Sequence, residues 1–339
     1  MSCFHLLRIT LMLASSLFLP PLPSATGTPP PSMSTTHDEA SKKVTVLIDG
    51  AVLTEIRYNT FAKPVLWPIH GPGGIPLTRD WPMKTDTPGD DQDHPHHKSL
   101  WFTHGDVNGI DFWKEAPDAG KVITSSPPRL TLDDASRAVV ELANEWQAAD
   151  GRIICSDTTV IRCSAVPTGT SGPFAHFIDY EVTIKATHGE VVFGDTKEGT
   201  MAIRTRPEWN VERKNPLAAG TSRNSEGLTG SALWGAKAAW VDYQAPVNKE
   251  IMGIAVFDHS SNLRHPTTWH ARDYGLVAAN PFGLHDFSKK NPQGAGKFTL
   301  QAGATQTWKY GFFLYKGILT PTQINAAWTT WTALPSKAK

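Results

Sequence analysis

Three cysteines in 339 residues, 32 basic side chains against 32 acidic ones, and no apolar run of spanning length set the first limits on this chain. Proteins that live on phosphate backbones carry a surplus of Lys and Arg, so zero net charge argues against a nucleic-acid partner. Crossing a bilayer as a helix takes about 20 apolar residues, and no stretch after residue 27 approaches that. A spanning segment is therefore not expected. Several catalytic signatures are also missing: no G-x-S-x-G elbow, no H-E-x-x-H, no G-x-x-x-x-G-K-[ST], and no G-x-G-x-x-G after a strand. Charged residues are sparse at 19%, while Gly (27), Pro (26), Trp (12) and Phe (14) are plentiful, which points to rigid aromatic walls joined by turns.

The first 27 residues have the pattern of an export signal: Arg8, the mostly apolar run from Ile9 to Leu19, a proline break at Pro20 to Pro23, and small residues at Ala25-Thr26-Gly27. The expected location is secreted or periplasmic. Residues 28–42, rich in Pro, Ser and Thr, are expected to form a disordered linker that is mobile up to Lys42. Cys3 leaves with the signal. Cys155 and Cys163 lie in one β-branched run; as one strand it holds them roughly 26 Å apart, far beyond the ~7 Å that a disulfide spans. Two buried, reduced thiols on one face are expected, unless a turn at Ser156-Asp157 breaks the run.

From Lys43 onward the pattern is one of short strands. Asp49-Gly50 and Asp150-Gly151 are hairpin signals between alternating runs. One helix has a clear start: Thr320 as N-cap, Pro321 at the first position and Gln323 at the third, followed by the apolar stripe Ile324, Ala327, Trp328 and Trp331. The expected fold is all-β, one large antiparallel sandwich over residues 43–335 with a single C-terminal helix. His70 to Asp93 is the exception, a Pro- and Gly-rich loop without periodicity, of a length that is usually functional or disordered.

Five of the 13 histidines fall between positions 70 and 104. If the Asp93–Phe102 segment is extended, His94 and His96 share a face and His97 takes the other. Two neighbouring imidazoles suit a divalent metal, with a third ligand from another strand, or metal-free acid/base work, or a hydrogen-bonded cluster that ties the loop down. Asp195, Lys197 and Glu198 occupy a glycine-bracketed turn with Arg204 downstream. His270 and Arg272 share a face of Trp269–Gly275, followed by Asn280-Pro281-Phe282-Gly283.

The blocks Asp93–Trp113, Phe193–Arg204, Gly253–Asn262 and Trp269–Gly283 resemble the secreted bacterial family labelled "methane oxygenase PmoA", over about residues 45–332. That resemblance implies a β-sandwich like galactose mutarotase and related sugar-active proteins. It also implies that His94, His96 and His270, with Glu198 or Asp195, stand over a sugar ring. The reading that follows is an exported carbohydrate-active enzyme of epimerase, mutarotase, lyase or hydrolase type, acting on a sugar, keto-sugar or oligosaccharide. Glu198 is the candidate base and His96 the candidate acid, with His270 as the third catalytic group. Trp81, His97, Arg204, Trp269, Arg272 and Asn280 are the candidate ligand contacts. Two alternatives stay open. One is a non-catalytic carbohydrate-binding module; the other is a metal-dependent oxidase or oxygenase using His94 and His96.

Overall fold

The computed structural model describes residues 31–133, 136–168 and 174–334. The expected export signal, residues 1–27, lies outside them. Both hairpin signals sit where the chain reverses. Asp49 and Gly50 take positive φ (48° and 77°) between strands Lys43–Ile48 and Ala51–Arg57, the twist that a two-residue turn needs to match paired strands. Gly151 (φ 87°) plays the same part between Arg137–Gln147 and Ile153–Pro167.

Two large antiparallel sheets stack face to face. The first runs in the spatial order Met33–Asp38, Lys43–Ile48, Ala51–Arg57, Val65–Gly71, Leu100–His104, Gly199–Arg204, Leu276–Ala279, Trp269–Ala271. The second runs Thr221–Asn224, Trp240–Val247, Glu250–Asp258, Thr305–Lys316, Phe174–Lys185, Ile153–Pro167, Arg137–Gln147, Lys121–Thr124. Alternate residues of each inner face form one core, with Phe102, Met201, Ile203 and Val277 meeting Val182, Trp308, Tyr310 and Phe312. The expected antiparallel sandwich is therefore the observed fold.

Two expectations need correction. Residues 33–42 are ordered: Met33–Asp38 pairs in register with Lys43–Ile48, and the Asp38 carboxylate accepts from the backbone N–H groups of Ala40 and Ser41 to hold the turn. An edge strand needs only backbone pairing on one side, so its polar sequence carries no apolar signal. The C-terminal helix, Pro321–Thr332, has the full capping box, yet a four-residue helix at Leu284–Phe287 also exists. Past His188-Gly189 the chain leaves the second sheet, and Val191–Phe193 pairs with Phe298–Leu300. The thiols are as expected. Cys155 and Cys163 are free, buried, and on one unbroken strand.

Candidate functional site

In the first sheet the inner-face residues belong to the core, so their neighbours Trp101, Ala202, Ala278 and His270 point the other way. These four stand in one row across four strands, since Trp101 pairs with Ala202, Ala202 with Ala278, and Ala278 with His270. Two alanines between a tryptophan and a histidine leave room on the sheet. Loop-borne Trp113 and Tyr274 pack into it.

The histidine turn is seated on this face. It is not extended as expected: the His97 N–H donates to the His94 carbonyl (2.9 Å), and His94 and Ser99 take positive φ. Side-chain alternation is lost, and all three imidazoles come together. Tyr274, His94, His97 and Trp101 make consecutive near-parallel ring contacts at 5.5, 4.7 and 5.5 Å. His96 stands edge-on to His97 at 4.4 Å. Arg79, wholly buried, ties the turn down by donating to the carbonyls of Asp91 (2.9 Å), His94 (3.0 Å) and His97 (3.3 Å) and to the Asp93 carboxylate.

Asp93 is the electrostatic pin of the turn. Burial alone would raise its carboxyl, but Arg204 and Arg79 beside it hold it at about 2. Its second oxygen accepts from His94 Nδ1 at 2.8 Å. Arg204 is thereby accounted for. It is fully buried, donates to Asp93 (3.0 Å) and lies 4.5 Å over Tyr274, so it positions the turn and does not face a ligand.

His96 is half-buried and forms no hydrogen bond with a described residue. Burial, then the nearby charges of Lys63 and His94, push it down to about 4. Lys63 itself is desolvated to about 8, although it donates to the Trp113 carbonyl (3.0 Å) and pairs with Glu115 (3.1 Å). His270 donates from Nδ1 to the Lys197 carbonyl at 2.8 Å, which leaves Nε2 with its lone pair. Burial lowers it to about 3. Both imidazoles are neutral at pH 7. Glu198 pairs with Lys197, and its charge reaches His96 and Tyr274. Trp234 stands edge-on to His270 at 4.9 Å, and the Arg272 guanidinium lies 4.7 Å from Trp234 and 5.2 Å from Tyr274.

The structure thus gathers His94, His96, Glu198, His270 and Arg272 on one sheet face, a candidate cleft in which His270 is only 3% exposed. It does not gather the other candidates there. Trp269 is wholly buried in the core, its Nε1 donating to the Ala238 carbonyl, so it is no stacking wall. Asn280 is spent on the Thr196–Gly283 turns, donating to the Thr196 and Lys197 carbonyls and accepting from the N–H groups of Phe282 and Gly283. His97 lies beneath the other imidazoles at 2% exposure. Trp81 makes no ring contact with the column among the described residues. Its backbone N–H donates to the Asp90 carboxylate, later in the same loop.

No three His, Cys, Asp or Glu side chains among the described residues are arranged to hold a metal ion. His94 spends Nδ1 on Asp93, and no third ligand joins His94 and His96. Trp234 and Tyr274 were not foreseen as the aromatic walls. Tyr274 stood inside a block already singled out, but Trp234 sits beside a short 3-10 turn at Gly230–Leu233 that has no periodic pattern. A cavity of about 550 Å³ lies elsewhere, between the outer face of the second sheet and the C-terminal helix. It shares no residue with this cleft.

A two-sheet antiparallel β-sandwich, with a cluster of histidine, carboxylate and arginine side chains on the loop-covered face of one sheet, is the class that fold and site define. The chain belongs to the family of unknown function DUF6807, whose model matches residues 43–329. No curated protein matches it. Among solved structures it is similar to a galactose mutarotase related enzyme from Lactobacillus acidophilus, at 7% identity and a TM-score of 0.33, covering 84% of this chain and 97% of that one. It is also similar to a galactose mutarotase-like protein from Lactobacillus casei, at 12% identity and a TM-score of 0.31, covering 84% and 100%.

Proposed function

We propose that this protein is a carbohydrate-active enzyme that binds one sugar or keto-sugar in the histidine cleft and moves a proton on it. The observation that carries this reading is the convergence of three distant segments. The 93–98 turn, the 196–199 turn and the 269–274 strand end place neutral imidazoles, a carboxylate and a guanidinium beside the half-buried rings of Trp234 and Tyr274. Aromatic faces suit the C–H surface of a sugar ring, and the polar groups suit its hydroxyls.

The pKa directions reverse part of the expected assignment. A histidine held at about 4 has no imidazolium to offer at neutral pH, so His96 acts as the base. The proton leaving the sugar goes to a free ring nitrogen of His96. The oxygen that gains a proton draws it from the Lys197 ammonium, which the Glu198 carboxylate holds in place, and solvent restores His96 and Lys197. His270, its Nδ1 fixed on the Lys197 carbonyl, presents Nε2 as a hydrogen-bond acceptor for a hydroxyl. On this reading the place of action is the periplasm or the cell exterior, because residues 1–27 carry an export pattern.

The test is proton exchange at sugar C–H positions in D2O by NMR, together with anomer equilibration by polarimetry, over a monosaccharide panel. We expect turnover by the wild type, a fall of about 10²–10⁴-fold in H96A and E198Q, and binding kept within a few-fold. Binding without turnover in the wild type, abolished by W234A, would instead establish a non-catalytic carbohydrate-binding module.

A further inference from the structure

Twelve arginines are described, and eleven of them hold a carboxylate or a carbonyl through the guanidinium. Arg272 is the twelfth. Its guanidinium forms no hydrogen bond or ion pair with any described residue, although it is half-buried and packed against Trp234 and Tyr274. The neighbouring Asp273 carboxylate does not close on it, and the Glu198 carboxylate is taken by Lys197. Holding a long side chain in one place costs conformational freedom, and here no protein partner offsets that cost. The two rings supply the restraint and leave the N–H fork free.

We infer that the cleft takes an acidic sugar, with Arg272 clasping the ligand's carboxylate between the Trp234 and Tyr274 rings. The inference rests on the carbohydrate reading above and names its substrate class. A planar fork of N–H donors matches a carboxylate in two parallel hydrogen bonds, and stacking on aromatic faces pre-organises it. The charge also fits. The other cations of the site each have a carboxylate of the protein: Lys197 has Glu198, Lys63 and Lys98 share Glu115, and Arg79 and Arg204 share Asp93. Arg272 alone has no carboxylate of a described residue paired with it, and the ligand's carboxylate supplies the partner it lacks. His96 and His270 stay neutral beside it and do not compete for the anion. Arg272 then sets which end of the sugar lies toward Trp234 and so which carbon faces His96, a specificity-determining role.

The experiment is calorimetric titration of the full chain, its variants R272Q and R272K, and four ligand classes at fixed ionic strength. The ligands are glucuronate and galacturonate, the neutral parent sugars, galactose 6-phosphate, and cyclohexanecarboxylate. We expect a uronate to bind at least tenfold tighter than its neutral parent. That advantage should vanish in R272Q and survive in part in R272K, which keeps the charge and loses the fork. Neutral sugars binding as tightly as uronates would overturn the inference and leave the carbohydrate reading standing. Preference for the sugar phosphate would overturn the carboxylate assignment. Equal binding of cyclohexanecarboxylate would show an anion clasp without sugar recognition, and failure of every class would sink the carbohydrate reading itself. Thermal melts of both variants separate loss of the clasp from loss of the fold.

Discussion

His104 shows what the interior of this sandwich does to an imidazole. It is fully buried; Nε2 donates to the Gly194 carbonyl at 2.8 Å, while Nδ1 has no partner and lies against Gly199, where a Cβ would come within 2.3 Å. Desolvation brings it down to about 4, from an ordinary value near 6.5. Between those two values the unfolded chain binds a proton that the folded one refuses. Stability from this group is therefore complete above about pH 6.5 and is lost as the pH falls toward 4, by roughly 3 kcal/mol at most. Asp242, raised by burial to about 6, works in the opposite direction over part of that range. The comparison must therefore be wild type against H104Q at each pH, where other groups cancel. The expected outcome of urea titrations is a stability gap that narrows steadily from pH 6.5 to 4. A gap independent of pH would mean that His104 is protonated in the fold.

At the scale of elements, the C-terminal helix is the most legible piece of the chain. Thr320 accepts from the Gln323 N–H, and the Gln323 side chain accepts from the Thr320 N–H. Ile324 and Trp331 then pack on Phe177, Phe257 and Phe313 of the second sheet's outer face. T320A should cost about 1 kcal/mol and lower the urea midpoint while leaving ligand affinity unchanged, because the helix and the cleft lie on different sheets. A change in affinity would reveal coupling between them. Hairpins were legible for a similar reason: Asn- or Asp-Gly pairs have few conformations, so two letters fix a turn. Met33–Asp38 was not, because an edge strand built on backbone pairing needs no apolar alternation. The histidine turn was located correctly, but its geometry was not. Whether His94 and His97 oppose or stack depends on Arg79, a residue 15 or more positions away whose burial no local pattern announces.

Over the whole molecule, chemistry and packing are divided between faces. The thiols of Cys155 and Cys163 belong to the interior, where burial pushes both up, Cys163 to about 12. They should resist thiol reagents in the folded protein and react only after denaturation without reductant. Labelling of the native state would show that the second sheet opens readily. The cleft owes its residues to the opposite arrangement, with rings and charges brought onto a sheet face by loops and pinned there by buried arginines. Little of that could be read from periodicity, which reports strands and not what crosses above them.

The place of Trp234 beside the unpaired guanidinium has an optical consequence. Of the twelve tryptophans, seven are among the largest fully buried side chains, and water does not reach their indoles. Trp234 is half-exposed and in contact with both Arg272 and His270, so anything that draws the guanidinium away or excludes water from the indole alters its light. Occupancy of the cleft is thus readable as a shift in intrinsic fluorescence, without a label and before any reaction is known. W234F marks which part of the spectrum belongs to that one ring.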